Sequence, residues 1–107
     1  MNIVALTPEI FDTEVLASSQ PVVVEFWAEG CKPCQKLGGI LRKYADQLKI
    51  ATCNIDEQPA IGERFGINNI PSLLFFKDGE VIDDAIGTVN DISEEEVRTK
   101  VERVLQG

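Results

Sequence analysis

Two cysteines separated by two residues stand out in the stretch EFWAEGCKPCQKL, residues 25–37. Thiols at this spacing, here Cys31 and Cys34, can form a disulfide with each other and exchange it with a disulfide in another molecule. They can also serve as two ligands of a zinc or iron–sulfur site. The residue types therefore indicate either redox exchange or metal binding, and the rest of the chain must distinguish the two.

Metal binding is disfavoured because the chain has too few ligands. A tetrahedral site takes about four Cys or His donors, whereas this chain has three cysteines and no histidine. A cluster shared between two chains stays open as a minority alternative. A purely structural disulfide is weaker still, since closing so short a loop removes little entropy from the unfolded chain. We therefore expect a redox pair that needs no metal and no bound cofactor, because the dithiol is itself the carrier.

The elements around the cysteine pair predict different roles for its two members. The β-branched run PVVVEFWA, residues 21–28, predicts a central strand. Apolar residues then recur at helical spacing from Cys34, which predicts a helix that ends near Lys49. A helix N-terminus favours an anion, so Cys31 is expected to be the nucleophilic thiolate and Cys34 the resolving thiol. Pro33 is compatible with the first helical turn, where its missing N–H has no intrahelical partner.

Glu25 interrupts the apolar strand and is the next candidate for chemistry. In a central strand its side chain is buried, and burial without a cationic partner raises a carboxyl pKa toward neutrality. Such a carboxyl can act as a general acid/base for the deeper thiol of Cys34. The alternative is an ordinary exposed glutamate on a strand face.

The remaining segments alternate between strands and helices, which is typical of an α/β fold. Strands are predicted at 2–6 and 50–56, and a hairpin with an Asp-Gly turn at 71–87. Helices are predicted at 7–18, at 59–65 and from 93 onward. The predicted order is β-α-β-α-β-α-β-β-α.

Capping signals mark the ends of two of these helices. Thr7 is the expected N-cap of the first, with Pro8 at its first position. Ser93 and Glu96 form the pattern of a capping box at the start of the last helix. The predicted buried face of that helix consists of Val97, Val101, Val104 and Leu105.

Composition restricts the class of protein and its partners. A chain of 107 residues is expected to form one domain, 1–107. Its 10 basic and 18 acidic residues give a net charge of -8, which repels nucleic-acid phosphates and anionic membranes. Neither a signal peptide nor an apolar stretch of about 20 residues is evident. The odd number of cysteines suits reduced thiols plus one working pair, and we expect a cytoplasmic protein. A single compact domain with no leftover apolar stripe is expected to be a monomer.

Taken together, these features resemble the thioredoxin family. The resemblance lies in VVVEFWAEGCKPCQKL (22–37) and NIDEQPAIGERFGINNIPSLLFFKDGEVIDDAIG (54–87), and it extends from the first strand to the last helix. It implies a three-layer α/β sandwich whose five-stranded mixed sheet has the order 1-3-2-4-5 and is flanked by four helices. It also implies a protein disulfide reductase that acts on disulfide-containing protein substrates and receives electrons from a thioredoxin reductase.

The resemblance also implies a substrate-binding surface. The Ile70-Pro71 bond is expected to be cis and to lie against the cysteine pair, where the backbone of Ile70 pairs with an extended substrate segment. Gly87 resembles the third substrate-binding loop of the family. Trp27 resembles the tryptophan that packs beneath the site, although it could be a plain core aromatic. The residues expected to contact substrate are Gly30, Lys32, Pro33, Ile70, Pro71, Gly87 and Trp27.

Several positions depart from the family pattern. The common motif is Trp-Cys-Gly-Pro-Cys, whereas this chain has Gly30 in place of the tryptophan and Lys32 in place of the inner glycine. Glu25 replaces the usual buried aspartate and is one methylene longer. Thr52 stands where many relatives have a lysine close to that acid, which leaves its proton affinity open.

Further departures lie in the helix and in the third strand. Gly38 and Gly39 occupy the region where many members have a helix proline. Each glycine is expected to weaken the helix by roughly 1 kcal/mol relative to alanine. Cys53 stands at an aliphatic position and is interpreted as a small core residue.

Two alternative functions remain open at this stage. A raised redox potential would make the protein an oxidant or isomerase, although such proteins carry an inner histidine that is missing here. A binding module with vestigial redox chemistry is the other alternative. The intact cysteine pair counts against it, and the loss of the rim tryptophan counts for it.

Overall fold

The fold is built on a five-stranded mixed sheet. In a computed structural model, which describes residues 3–87 and 92–106, the strands are β1 (Ile3–Ala5), β2 (Val22–Trp27), β3 (Lys49–Asn54), β4 (Ser72–Lys77) and β5 (Glu80–Ile86). They lie in the order β1-β3-β2-β4-β5, which confirms the predicted order. Strand β3 is parallel to both of its neighbours, β1 and β2. Strand β4 is antiparallel to β2, and β5 is antiparallel to β4. Asn2, the first residue of the predicted first strand, lies outside the described residues.

Helices cover both faces of the sheet. They are α1 (Pro8–Phe11), continued by a π-helical segment (Asp12–Leu16), α2 (Lys32–Arg42), α3 (Pro59–Arg64) and α4 (Glu94–Gln106). Leu37 of α2 and Val101 of α4 belong to the core on one face. Phe11 of α1 and Ile61 of α3 belong to the core on the other. The predicted three-layer sandwich is confirmed.

Strand β2 is buried on both sides because each face of the sheet carries helices. Its residues from Val22 to Phe26 are all buried. Val23 belongs to the core beneath α2 and α4, whereas Val22 and Val24 belong to the opposite core. Since strand side chains alternate between faces, Glu25 points to the same side as Val23, toward α2. A central position thus explains why the run is apolar on both faces.

The predicted end of the second helix is wrong. The helix was expected to reach Lys49, but α2 ends at Arg42 and Lys49 begins β3. Residues 43–48 continue as tight turns, in which most of the N–H bonds reach carbonyls three residues back and that of Leu48 reaches the Tyr44 carbonyl, four residues back. These turns keep Tyr44 packed on the core and Leu48 buried, so the apolar spacing extends beyond the α-helix itself.

Only some of the capping interactions predicted at the helix starts are present. Thr7 is the N-cap residue of α1, but its side chain makes no capping hydrogen bond. The N–H of Glu96 donates to Oγ of Ser93 at 3.1 Å, which is one half of the predicted capping box. The Glu96 carboxylate instead pairs with Lys100, 3.2 Å away.

The predicted buried face of α4 is correct for its three valines and wrong for Leu105. Val97, Val101 and Val104 are at most 1% exposed, whereas Leu105 is 37% exposed. Residues spaced by four and three form one stripe on a helix. Leu105 lies about 100° around the helix from Val104, at the edge of that stripe.

The hairpin between β4 and β5 is confirmed, with the turn at the predicted Asp-Gly pair. Asp78 has φ of 52° and Gly79 has φ of 81°, so both occupy the left-handed region that a type I′ turn requires. Aspartate tolerates this region better than most side chains, and glycine enters it freely.

The exposure difference within α4 predicts unequal losses of stability. Val101→Ala removes two buried methyl groups, so we expect the free energy of unfolding to fall by about 2 kcal/mol. Leu105→Ala removes more atoms from an exposed position and should cost less than about 1 kcal/mol. Urea unfolding of both oxidised variants measures this. Equal losses would contradict the assignment of the buried stripe.

Candidate active site

The cysteine pair lies at the start of α2, and its two members differ in exposure. The sulfur atoms are joined as a disulfide, with 5.3 Å between the two Cα atoms. Cys31 is the N-cap residue, and its Sγ accepts a hydrogen bond of 3.2 Å from the backbone N–H of Cys34. Cys31 is half-buried, whereas Cys34 is only 3% exposed. The helix therefore presents one sulfur to solvent and covers the other.

The loop before the helix depends on one glycine. Gly30 has φ of +79°, a left-handed conformation that other residues adopt at a cost. Space is not the constraint, because a Cβ at Gly30 would have no neighbour within 4 Å. Lys32 and Pro33 follow Cys31 as the first two residues of α2, and Lys32 is exposed.

A second loop carries the expected cis proline. The Ile70-Pro71 peptide bond is cis, as the resemblance implied. Gly87, directly after β5, donates its N–H to the Pro71 carbonyl oxygen at 2.8 Å. A Cβ at Gly87 would lie 2.6 Å from that same oxygen, so only glycine permits this approach. Pro71 and Gly87 are both buried, and Ile70 is half-buried.

Strand register brings the two loops to one edge of the sheet. Phe26 of β2 pairs with Ser72 of β4 in the antiparallel register. The next residues outward are Trp27, which leads into the cysteine loop, and Pro71. Trp27 and Pro71 are 44 positions apart in the sequence, whereas the antiparallel pairing makes them neighbours.

A cavity of about 400 Å³ lies between the sheet and α2, behind the cysteine pair. It is lined by Ile3, Glu25, Trp27, Cys34, Gln35, Gly38, Gly39, Arg42 and Thr52. Glu25 is only 5% exposed, which confirms the prediction that it is buried. Within residues 3–87 and 92–106, its Oε2 is a buried oxygen that has no hydrogen-bond partner. The cavity thus brings the acid and the deeper cysteine to one space.

Burial sets the proton affinity of this acid. Loss of hydration raises the pKa of the Glu25 carboxyl from its ordinary 4.5 to about 7, and the Arg42 guanidinium lowers the pKa part of the way back. The direction agrees with the prediction. The sequence argument took no account of a cation near Glu25, whereas the charge of Arg42, the last residue of α2, acts on this carboxyl.

Sequence reasoning missed Arg42 and Gln35 as site residues and read Gly38 and Gly39 only as helix weakeners. All four line the cavity. Their positions, 35, 38, 39 and 42, repeat at helical spacing and form one face of α2. In the sequence, this polar and glycine-containing face stands beside the apolar stripe of the same helix. Its helical spacing is the signal from which these cavity residues could have been identified.

Cys53 lies on the opposite side of the sheet from the cavity. It is fully buried in the core beneath α1 and α3. Burial raises the pKa of its thiol to about 11, which disfavours the reactive thiolate. The interpretation of Cys53 as a core residue is confirmed.

Two further properties concern the described part of the chain. Among residues 3–87 and 92–106, no three side chains of His, Cys, Asp or Glu are grouped so that they could hold a metal ion. The same residues contain no helix with the length and apolar character needed to cross a membrane.

A dithiol at a helix start, a cis proline at the same sheet edge and a buried acid behind the deeper sulfur define a thiol–disulfide oxidoreductase. The family model for thioredoxin matches residues 2–102. Thioredoxin 1 of Synechococcus elongatus is 42% identical over 89 residues, covering 79% of this chain and 83% of its own. Thioredoxin of Acidithiobacillus ferridurans is 41% identical over 92 residues, covering 82% and 85%.

A solved structure of a mutant thioredoxin from Halobacterium salinarum NRC-1 has the same fold. Its TM-score is 0.85 at 24% identity, covering 97% of this chain and 91% of that one. The chain belongs to the thioredoxin family. It is a disulfide reductase that works by thiol–disulfide exchange through Cys31 and Cys34, with disulfides as substrates and a reductase as electron source.

The raised pKa of Glu25 predicts a pH-dependent stability. Between 4.5 and about 7 the folded protein binds more protons than the unfolded chain, so the contribution of Glu25 becomes less favourable as pH rises through that window. A difference of about 2.5 pKa units corresponds to about 3 kcal/mol. Relative to the parent, Glu25→Gln should therefore gain up to about 3 kcal/mol of unfolding free energy between pH 4 and pH 8.

Urea unfolding of the oxidised proteins at a series of pH values measures this difference. Gln35→Asn is the matched control, because it changes a side chain that lines the same cavity and does not titrate. Its difference from the parent should stay flat over the same range. Parallel curves for Glu25→Gln and the parent would refute a raised pKa at Glu25.

Proposed function

We propose that Cys31 performs the first of two exchange steps. Its thiolate attacks one sulfur of a substrate disulfide, a Cys31–substrate disulfide forms, and the other substrate sulfur leaves as a thiolate. The observation that carries this assignment is the exposure of Cys31 at the tip of α2, with Cys34 covered behind it. Helix N–H groups directed at that sulfur favour its negative charge.

Cys34 and Glu25 perform the second step. The Cys34 thiol transfers its proton to the Glu25 carboxylate, directly or through water in the cavity, and attacks the sulfur of Cys31. The intermolecular disulfide breaks, the second substrate thiolate leaves, and the Cys31–Cys34 disulfide remains. Two electrons have passed to the substrate. A carboxyl with a pKa of about 7 can both accept and return a proton near neutral pH, which supports this role.

The substrate lies across the two loops at the sheet edge. We propose that the backbone of Ile70 pairs with an extended substrate segment, with Pro71 and Gly87 shaping the loop beneath it. Gly30, Lys32 and Pro33 form the facing rim around Cys31. The Pro71–Gly87 hydrogen bond and the shared sheet edge support this arrangement. Trp27, which is half-buried and lines the cavity, supports the rim from below.

We propose a single domain over 1–107 that works as a monomer in the cytoplasm and is re-reduced by a thioredoxin reductase. One working cysteine pair plus a buried third thiol suits a reducing compartment. The net charge of -8 disfavours nucleic-acid partners. Within the described residues, the exposed large apolar side chains are each less than half exposed, which supports a monomer.

Alkylation of the reduced protein tests the division of roles. With limiting iodoacetamide at pH 7, Cys31 should be modified first, because it is the cysteine that is both accessible and at the helix tip. Cys53 should stay unmodified, since at a pKa of about 11 roughly one thiol in 10,000 is ionised at pH 7. Peptide mass spectrometry reads the order.

Trapping provides the second readout for the same assignment. A Cys34→Ser variant should accumulate a disulfide-linked complex with a reducible protein substrate such as insulin, whereas Cys31→Ser should not. Faster labelling of Cys34, or trapping by Cys31→Ser, would reverse the two roles.

Lys32 should tune the redox potential slightly. A cation beside Cys31 stabilises the thiolate and hence the reduced form by about 0.3–1 kcal/mol when exposed. Lys32→Gly should therefore be more reducing by at most about 30 mV, with the difference narrowing as salt rises. Equilibration with glutathione buffers at two ionic strengths measures it. A shift in the other direction, or one that salt leaves unchanged, would rule out the electrostatic explanation.

A further inference from the structure

The carboxyl of Glu25 reaches the backbone of α2 at Gly38. A Cβ built on Gly38 would lie 3.3 Å from Oε1 of Glu25. This is closer than ordinary van der Waals contact, so a Cβ at 38 would require the carboxyl to shift by a few tenths of an ångström. Gly38 thus provides the space that this acid occupies.

Gly39 differs from Gly38 although both line the cavity. A Cβ at Gly39 would have no neighbour within 4 Å. The two adjacent glycines of α2 therefore offer a matched pair, in which the same added methyl group touches the acid at one position and open space at the other.

Arg42 lies on the same face of α2 as Gly38, one turn later. Residues four apart stack on a helix, and helical side chains lean toward the N-terminus of their helix. This geometry directs the Arg42 side chain toward the turn that contains Gly38. Arg42 and Glu25 line one cavity, and glycine adds no side chain at position 38 between the two elements.

Apart from Glu25, Arg42 and the thiol of Cys34, the residues that line this cavity have no titratable or charged side chain. Strands β1, β2 and β3 contribute Ile3, Trp27 and Thr52 beside Glu25. Helix α2 contributes Cys34, which titrates when reduced, and Arg42. Among the described residues that line the cavity, Arg42 is thus the one cation that faces Glu25, and its attraction opposes the loss of hydration.

We propose that Arg42 is a positioning residue for the resolving step: across the gap left by Gly38, its guanidinium favours the ionised form of Glu25 and keeps the carboxylate in reach of the Cys34 proton. Arg42 does not touch the reacting sulfurs and acts only through Glu25. The inference rests on the proposed role of Glu25 as proton acceptor. Its test must therefore distinguish a wrong role for Arg42 from a wrong role for Glu25.

Stopped-flow reaction of the reduced protein with excess 5,5′-dithiobis(2-nitrobenzoate) separates the two exchange steps. Attack by Cys31 releases the first thionitrobenzoate, and attack by Cys34 on the resulting mixed disulfide releases the second. The rate of the second release, followed from pH 5 to pH 9, reports the protonation of the acid–thiol pair. Far-UV circular dichroism verifies that each variant is folded.

Loss of the Arg42 charge should move this pH profile upward. In Arg42→Gln the midpoint of the second release should rise by up to about one pH unit, because an exposed cation shifts a nearby acid by no more than this. The first release should be unchanged. Arg42→Lys should restore most of the shift. Lys43→Gln is the matched control, since it removes an adjacent charge that pairs with Glu94 on α4 instead.

The glycine pair tests the geometry separately from the charge. At pH 7, Gly38→Ala should slow the second release by roughly tenfold, part of the 10²–10⁴-fold that a positioned base supplies. Gly39→Ala should leave it within about twofold. Equal slowing in both variants would mean that helix stiffness, and not the Glu25 contact, is responsible, and this would overturn the assigned geometry.

Glu25→Gln and the double variant Glu25→Gln/Arg42→Gln separate the two possible failures. If Glu25→Gln leaves the profile unchanged, the proposed role of Glu25 is wrong. If Glu25→Gln alters it and Arg42→Gln does not, only the role of Arg42 is wrong. The inference requires Arg42→Gln to have no further effect once Glu25 is replaced. An equal shift in that background would show that Arg42 acts without Glu25 and would overturn the inference.

Discussion

The burial of β2 between helices on both faces is the constraint on which the rest of the structure depends. It requires an apolar strand from Val22 to Phe26, and it makes the one carboxyl in that strand costly to ionise. It also places the C-terminal end of β2 in the middle of the sheet. There the cysteine loop emerges beside the loop that contains Pro71. Stability and chemistry are therefore coupled through one strand, because a less buried β2 would lose both its core contacts and the unusual proton affinity of Glu25.

The asymmetry between the two cysteines comes from the geometry of a helix start. At the N-cap, Cys31 receives an N–H hydrogen bond and faces solvent, whereas Cys34 is already within the helix and packs toward the sheet. Two chemically identical side chains thus acquire different environments from a separation of three residues, and this difference supports the roles proposed for them. The third thiol, Cys53, lies on the far side of the sheet, and burial keeps it out of this chemistry.

One face of helix α2 packs into the core, and another lines the cavity. Together the two faces account for several departures from the family pattern. One face packs Leu37 and Leu41 into the core. The other carries Gly38 and Arg42 along the cavity that contains Glu25. A longer acid on β2, a missing side chain on the helix and a cation one turn later fit one another sterically and electrostatically. Gly38, which taken alone weakens the helix, is here part of the site.

The sequence by itself determined the order and type of the elements, because apolar period, turn residues and helix starts are local signals. It also identified Cys31 and Cys34, since their spacing and their place at a helix start carry the chemistry. The tertiary structure decided where α2 ends, because packing holds Tyr44 and Leu48 inward in turns that mimic helical spacing. Only the tertiary structure placed Arg42 and Glu25 on one cavity and Gly87 against Pro71, since both arrangements depend on how a helix and strands distant in sequence are oriented. A local sequence pattern indicates which residues can be buried. It does not indicate which charged group lies near a residue after it has been buried.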